Sequence, residues 1–265
     1  MGRLGIAFAA AAAAKKKVYI GYAMAGFPDL GADLELARAV LESADILELG
    51  VPFSDPIADG IVLQRCAEKA LAAGGGLARA MELAERLRRE TEKPLVLMSY
   101  LNPLLALGVD SFAHRARTAG VDGVVIPDLP PEEAPALLPA LRGAGLDVVF
   151  LAAPTSTPRR LRAIAKEASG FIYVVSVAGV TGERQVFDAR LVSTVRELRA
   201  ACRTPLAIGF GVSSPETARE AAALADGVVV ASTVLKAVLE AADGPSGMKA
   251  ARERSVLLST AVREV

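Results

Sequence analysis

The chain has 265 residues, 52% of them hydrophobic, and its 30 basic and 30 acidic side chains leave no net charge at pH 7. That length suits one large α/β domain, here 1–265, and the balanced charge gives no field to recruit nucleic acid or an anionic membrane. Cys66 and Cys202 lie far apart without CxxC spacing, and His114 is the single histidine, which argues against a disulfide framework and against a zinc site. Both cysteines are expected as buried thiols.

The opening "MGRLGIAFAAAAAAKKK" has the apolar run of a signal peptide, but its basic residues follow the run. Alanine's helix propensity and the cations at 15–17 predict instead a short leading helix with a complemented C-terminus. No apolar stretch approaches the ~20 residues of a spanning helix. A cytoplasmic protein is expected.

Eight short apolar runs then follow in order: "VYIGYAMA", "DILELGV", "PLVLMSY", "GVVIPD", "DVVFLAAP", "FIYVVSV", "PLAIGF" and "GVVVAS". Runs of this kind read as parallel strands buried on both faces. Between them lie stretches of helical periodicity, among them 32–43, 77–92, 131–142, 159–169 and 189–203, with a final amphipathic helix over 248–265. "AAGGGLARA" marks a break between two helices of one repeat. Eight βα units predict a (β/α)₈ barrel with a short extra N-terminal helix, and a doubly wound open sheet is the competing arrangement.

A barrel of this kind builds its site at the C-terminal ends of the strands. In the second run, alternation turns Glu48 away from Leu47 and Leu49 and toward the barrel axis. Desolvation there raises a carboxyl pKa, which suits a group that both gives and takes a proton; the competing role is a structural ion pair with an arginine. The following loop, stiffened by Pro52 and Pro56, carries Asp55 and Asp59. An aspartate there, more exposed than Glu48, would complete a carboxylate pair whose pKa values diverge. The small-residue turns "AGVTG", "GFGVSS" and "VVVAST" follow the last three runs. A short helix starting near Ser232 would aim its positive end at an anion, so these turns predict a phosphate cradle. His114 falls on a helix outside the barrel, and Tyr100 and Tyr173 lie near strand ends, where a phenol either packs the barrel or lines an apolar pocket.

Taken together, "YAMAGFPD", "LELGVPFSDPIADG", "YLNP", "GVVIPDLPPEE", "LAAPTST", "SVAGVTG", "GFGVSSPE" and "DGVVVAS" resemble the tryptophan synthase alpha subunit family over nearly the whole chain. The resemblance implies cleavage of indole-3-glycerol phosphate to indole and glyceraldehyde 3-phosphate without metal or cofactor. It also implies a beta subunit that carries pyridoxal phosphate, in an alpha2beta2 complex. The family's catalytic residues fall on Glu48 and Asp59, and its phosphate site on Gly182, Gly211, Ala231 and Ser232, with Tyr100 and Tyr173 along the pocket wall. The loop containing Ser54, Asp55 and Pro56, and the one containing Thr181, from Gly179 to about Phe187, are implied to close over substrate and bear on the partner. Three positions depart from the family's usual residues: Ala231 for glycine, where an added methyl is expected to crowd a phosphate, and Gly21 and Ile61 for proline. Two other readings stay open, a stand-alone indole-3-glycerol-phosphate lyase and a degenerate subunit that binds phosphate and activates its partner.

Overall fold

In the computed structural model, which describes residues 2–176 and 187–265, helix α1 (Arg3–Ala13) precedes strand β1 (Val18–Met24), and strands and helices then alternate. The order is α2 (Asp33–Ser43), β2 (Ile46–Gly50), α3 (Ile61–Ala72), α4 (Leu77–Arg88), β3 (Leu95–Met98), α5 (Leu101–Leu107), α6 (Val109–Thr118) and β4 (Gly123–Val125). A 3₁₀ turn (Ala134–Ala136) and α7 (Leu138–Gly143) lead to β5 (Asp147–Val149), β6 (Leu151–Ala152), α8 (Pro158–Glu167) and β7 (Ile172–Val175). The chain ends with α9 (Ala189–Ala201), β8 (Leu206–Gly209), α10 (Pro215–Leu224), β9 (Gly227–Val230), α11 (Ser232–Leu239) and α12 (Gly244–Arg263).

The strands are all parallel, in the order β5-β4-β3-β2-β1-β9-β8-β7-β6. The two outermost, β5 and β6, are successive pieces of one apolar run joined at the buried Phe150, whose carbonyl accepts from Tyr173 N–H at 3.0 Å. The ring therefore closes through a single run of chain. This is the (β/α)₈ barrel, with one of its eight strands in two pieces. Every residue of β1 and β2 is buried, as strands covered on both faces require.

Some element bounds differ from the sequence reading for identifiable reasons. The stretch 131–142 is not one helix, because Pro135 and Pro139 lack N–H donors and their rings clash with carbonyls four residues back. The last helix begins earlier, at Gly244, where Asp243 caps it reciprocally with Ser246. Cys66 is buried, but Cys202 is only partly so, which corrects the expectation of two buried thiols. His114 lies on the exposed face of α6. Gly21 lets β1 approach α2: a Cβ there would stand 2.4 Å from Val40 Cγ1. No helix among the described residues is long and apolar enough to cross a membrane.

Candidate active site

Glu48 stands in β2 opposite Tyr22 of β1 and Val96 of β3, and it is 3% exposed. It forms no ion pair with an arginine among the described residues, so the structural alternative for it does not hold. Its Oε2 has no hydrogen-bond partner. Among the described residues, only one other buried side-chain polar atom shares that condition, Oδ1 of Asp59. An unpartnered buried acceptor costs on the order of 1–3 kcal/mol, so two of them facing one cavity call for an explanation beyond packing.

The loop from β2 to α3 holds Asp59 in place. Asp59 N–H donates to the Pro56 carbonyl at 3.0 Å, its own carbonyl accepts from Gln64 Nε2 at 2.8 Å, and Ala58 N–H donates to Tyr100 Oη at 2.9 Å. Phe53 stacks on Tyr100 with ring centroids 5.3 Å apart. Tyr100, itself buried, thus supports the loop that carries Asp59. Asp55 does not join the pair. It is exposed and bonded to the Ser54 hydroxyl, while Pro56 is partly covered. Ile61, on the first turn of α3, is 63% exposed.

Burial, reinforced by the charge of Asp59, pushes Glu48 from an ordinary 4.5 up to about 8. Burial also lifts Asp59 from 3.8 to about 6, with the Tyr100 phenol working in the opposite direction. Near neutrality Glu48 therefore keeps its proton while Asp59 is mostly ionised: one donor and one acceptor side by side. Asp59 is the more exposed of the two, half-buried where Glu48 is buried, as expected for the loop aspartate, although its Oδ1 is covered.

Tyr22, Tyr173, Leu63, Leu151 and Phe210 close the apolar wall around the two carboxyl groups. Sequence reasoning placed Tyr173 here and missed Tyr22 and Phe210. For the two tyrosines, glycines in the neighbouring strands carry a signal. A Cβ on Gly50 would stand 1.7 Å from Tyr22 Oη, and one on Gly209 2.3 Å from Tyr173 Oη, so each glycine vacates space that a phenol fills. The cavity measures about 30 Å³, the room of one water, so a bicyclic ligand enters only if wall side chains move.

Ala231 borders this cavity from the end of β9, and its φ of −118° is open to any L residue, so no glycine is required there. Phe210 and Gly211, after β8, are both left-handed, at φ 67° and 73°. Phe210 is one of two described non-glycine residues with positive φ, and the Ser176 hydroxyl donates to its carbonyl. Ser232 opens α11 and borders an adjoining outer cleft of about 330 Å³ together with Ser213 and Thr233. Thr181 and Gly182 lie outside the described residues, as does the expected loop but for Phe187. A larger cavity, about 610 Å³, lies between α1 and the start of β8, but its acid, Asp226, is already bonded to Arg199 at 3.0 Å and to Leu206 N–H at 2.8 Å.

A (β/α)₈ barrel whose mouth holds a protonated and an ionised carboxyl group inside an apolar wall belongs to the barrel enzymes that work by proton transfer. The family model described as tryptophan synthase alpha chain matches residues 8–262. The tryptophan synthase alpha chain of Citrifermentans bemidjiense is 47% identical over 240 residues, covering 89% of each chain. The crystal structure of tryptophan synthase subunit alpha from Legionella pneumophila superposes with a TM-score of 0.90 at 31% identity over the full length of both chains. One from Mycobacterium tuberculosis, tryptophan synthase in an aminoacrylate-bound form, gives 0.89 at 34% identity over 99% of this chain and 100% of that one. The chain belongs to the tryptophan synthase alpha chain family. It is accordingly a lyase of tryptophan biosynthesis.

Proposed function

We propose that the chain acts in the cytoplasm on indole-3-glycerol phosphate, with Glu48 and Asp59 as its catalytic residues. Bond cleavage needs a proton on indole C3 and loss of the proton from the adjacent glycerol hydroxyl; the C–C bond electrons pass to the indole and the hydroxyl carbon becomes the aldehyde of glyceraldehyde 3-phosphate. Glu48, raised to about 8, gives the first proton and, once ionised, takes the second. Asp59 accepts a hydrogen bond from the indole N–H and stabilises the positive charge that develops on the ring. The observation that carries this reading is the pair of buried acceptor atoms, Glu48 Oε2 and Asp59 Oδ1, left without partners beside one apolar cavity.

Gly182, Gly211, Ala231 and Ser232 are proposed to hold the phosphate through backbone N–H groups, with Tyr173 against the ring. The chemistry needs no cofactor on this chain. Pyridoxal phosphate is assigned to a beta partner in an alpha2beta2 complex, with Ser54, Asp55, Pro56 and Thr181 on the loops that bear on it. Indole release from indole-3-glycerol phosphate, measured with and without a beta subunit, tests the assignment. Slow release that the partner accelerates is expected. Fast release unaffected by the partner would identify a stand-alone lyase, and no release in either case a degenerate subunit.

A further inference from the structure

The inner cavity has carboxyl groups but no lysine or arginine among its described lining residues. A phosphate monoester carries a charge of about −1.5 to −2 near neutrality, and a helix N-terminus offers only about half a positive charge. A phosphorylated substrate approaching the ionised Asp59 is therefore oriented by any further positive charge placed on the side where its phosphate enters. The outer cleft, which adjoins the inner cavity at the Ala231–Ser232 step, has two. Ser232 and Lys236 share one face of α11 at four-residue spacing, with Glu240 just past its end, and Arg254 reaches the same cleft from α12, which packs along α11. Lys236 lies 3.7 Å from Glu240, a half-exposed pair that leaves it hydrated and available. On α12, Lys249 pairs with Glu253, Arg252 with Glu42 and Arg263 with Asp45, whereas Arg254 has neither ion pair nor hydrogen bond among the described residues.

We infer that Lys236 and Arg254 form an outer capture site for the phosphate end of the substrate, setting which end enters first and favouring phosphorylated over unphosphorylated ligands. The inference rests on the reading of the substrate given above. The charges of the two spaces are opposite in sign: carboxyl groups in the inner cavity attract the indole N–H, and cations in the outer cleft attract the phosphate. Neither cation reaches the reacting carbon, so both are positioning residues that act on binding and not on the bond-breaking step. Glu240 opposes them.

The test is steady-state cleavage of indole-3-glycerol phosphate by the full chain, with inorganic phosphate as competing probe, over a range of salt. In the K236Q/R254Q double variant KM and the inhibition constant for phosphate are expected to rise about 3-fold to 10-fold at low salt, with kcat unchanged, and to meet the wild-type values at high salt. Glu240→Gln is expected to shift both constants the opposite way, and Lys236→Arg to preserve them. Wild-type constants in the double variant would overturn the capture site and leave the reaction assignment standing. A fall in kcat with KM unchanged would also overturn it, by placing these residues in the catalytic step or in the fold. Failure of the wild-type chain, tested with its beta partner, to cleave the substrate would remove the reaction assignment and the capture site with it.

Discussion

At the scale of single residues, the site depends on two carboxyl groups kept apart in protonation. Taking the protonated Glu48 and ionised Asp59 as the active pair, activity is lost in acid when Asp59 gains a proton and in alkali when Glu48 loses one. A bell-shaped kcat/KM with limbs near pH 6 and pH 8 is expected from a pH series of initial rates. Glu48→Gln removes both proton transfers and should abolish measurable indole release. Asp59→Asn keeps the shape and loses the charge, so a fall of about 10²-fold to 10³-fold is expected, as for loss of one electrostatic stabiliser, and the acid limb should go with it. Glu48 was legible in the sequence because a charged residue interrupts an apolar strand at a strand end. Asp59 could not be told from Asp55 by sequence pattern alone, since both follow prolines in one loop. The hydrogen bonds of that loop, and not its composition, turn Asp59 inward and Asp55 to solvent.

Among elements, supports from several parts of the chain hold the site. Tyr100 accepts from Ala58 N–H, so Tyr100→Phe leaves a partly buried donor without its partner and loosens the loop beneath Asp59. A loss of about 1–3 kcal/mol is expected, read as a roughly 5-fold to 150-fold fall in kcat with the phosphate inhibition constant unchanged. At the opposite end, α1 closes the barrel base: Leu4 is fully buried, and a Cβ on Gly123 or on Gly170 would come within 2.8 Å of its Cδ1. Arg3 ties the helix to Asp122 at 3.2 Å and to Glu92 at 2.6 Å. Leu4→Ala should destabilise the chain by about 2–5 kcal/mol in urea unfolding while leaving KM unaltered. The sequence disclosed this helix by its alanines but not its seat, because the glycines that admit Leu4 lie more than a hundred residues away. The eight strands were legible as apolar runs. The break at Phe150 was not, since no glycine or proline marks it.

For the molecule as a whole, an apolar active site lowers stability in a pH-dependent way. Between pH 4.5 and about 8 the unfolded chain ionises Glu48 while the folded chain holds its proton. The folded state then binds the extra proton, so stability falls as pH rises through that window, by at most about 1.4 kcal/mol per pH unit for this group, and levels off above it. Asp59 adds the same sign between 3.8 and about 6. Glu48→Gln removes the first contribution, so its melting temperature relative to wild type should climb steadily from pH 5 to pH 8; a difference independent of pH would exclude the linkage. The composition bounded the molecule correctly, because near-continuous apolar runs at regular spacing admit few folds. It could not reveal that Phe210 helps close the cavity to about the size of one water, since that depends on its left-handed backbone after β8.

The most direct test of the account is a carbon-13 NMR titration of the Glu48 side-chain carboxyl in the intact chain, assigned by comparison with Glu48→Gln. A midpoint near pH 8 that falls in Asp59→Asn is the predicted result. A midpoint near 4.5, unmoved by that substitution, would mean that Glu48 is ionised throughout the physiological range and cannot supply the first proton.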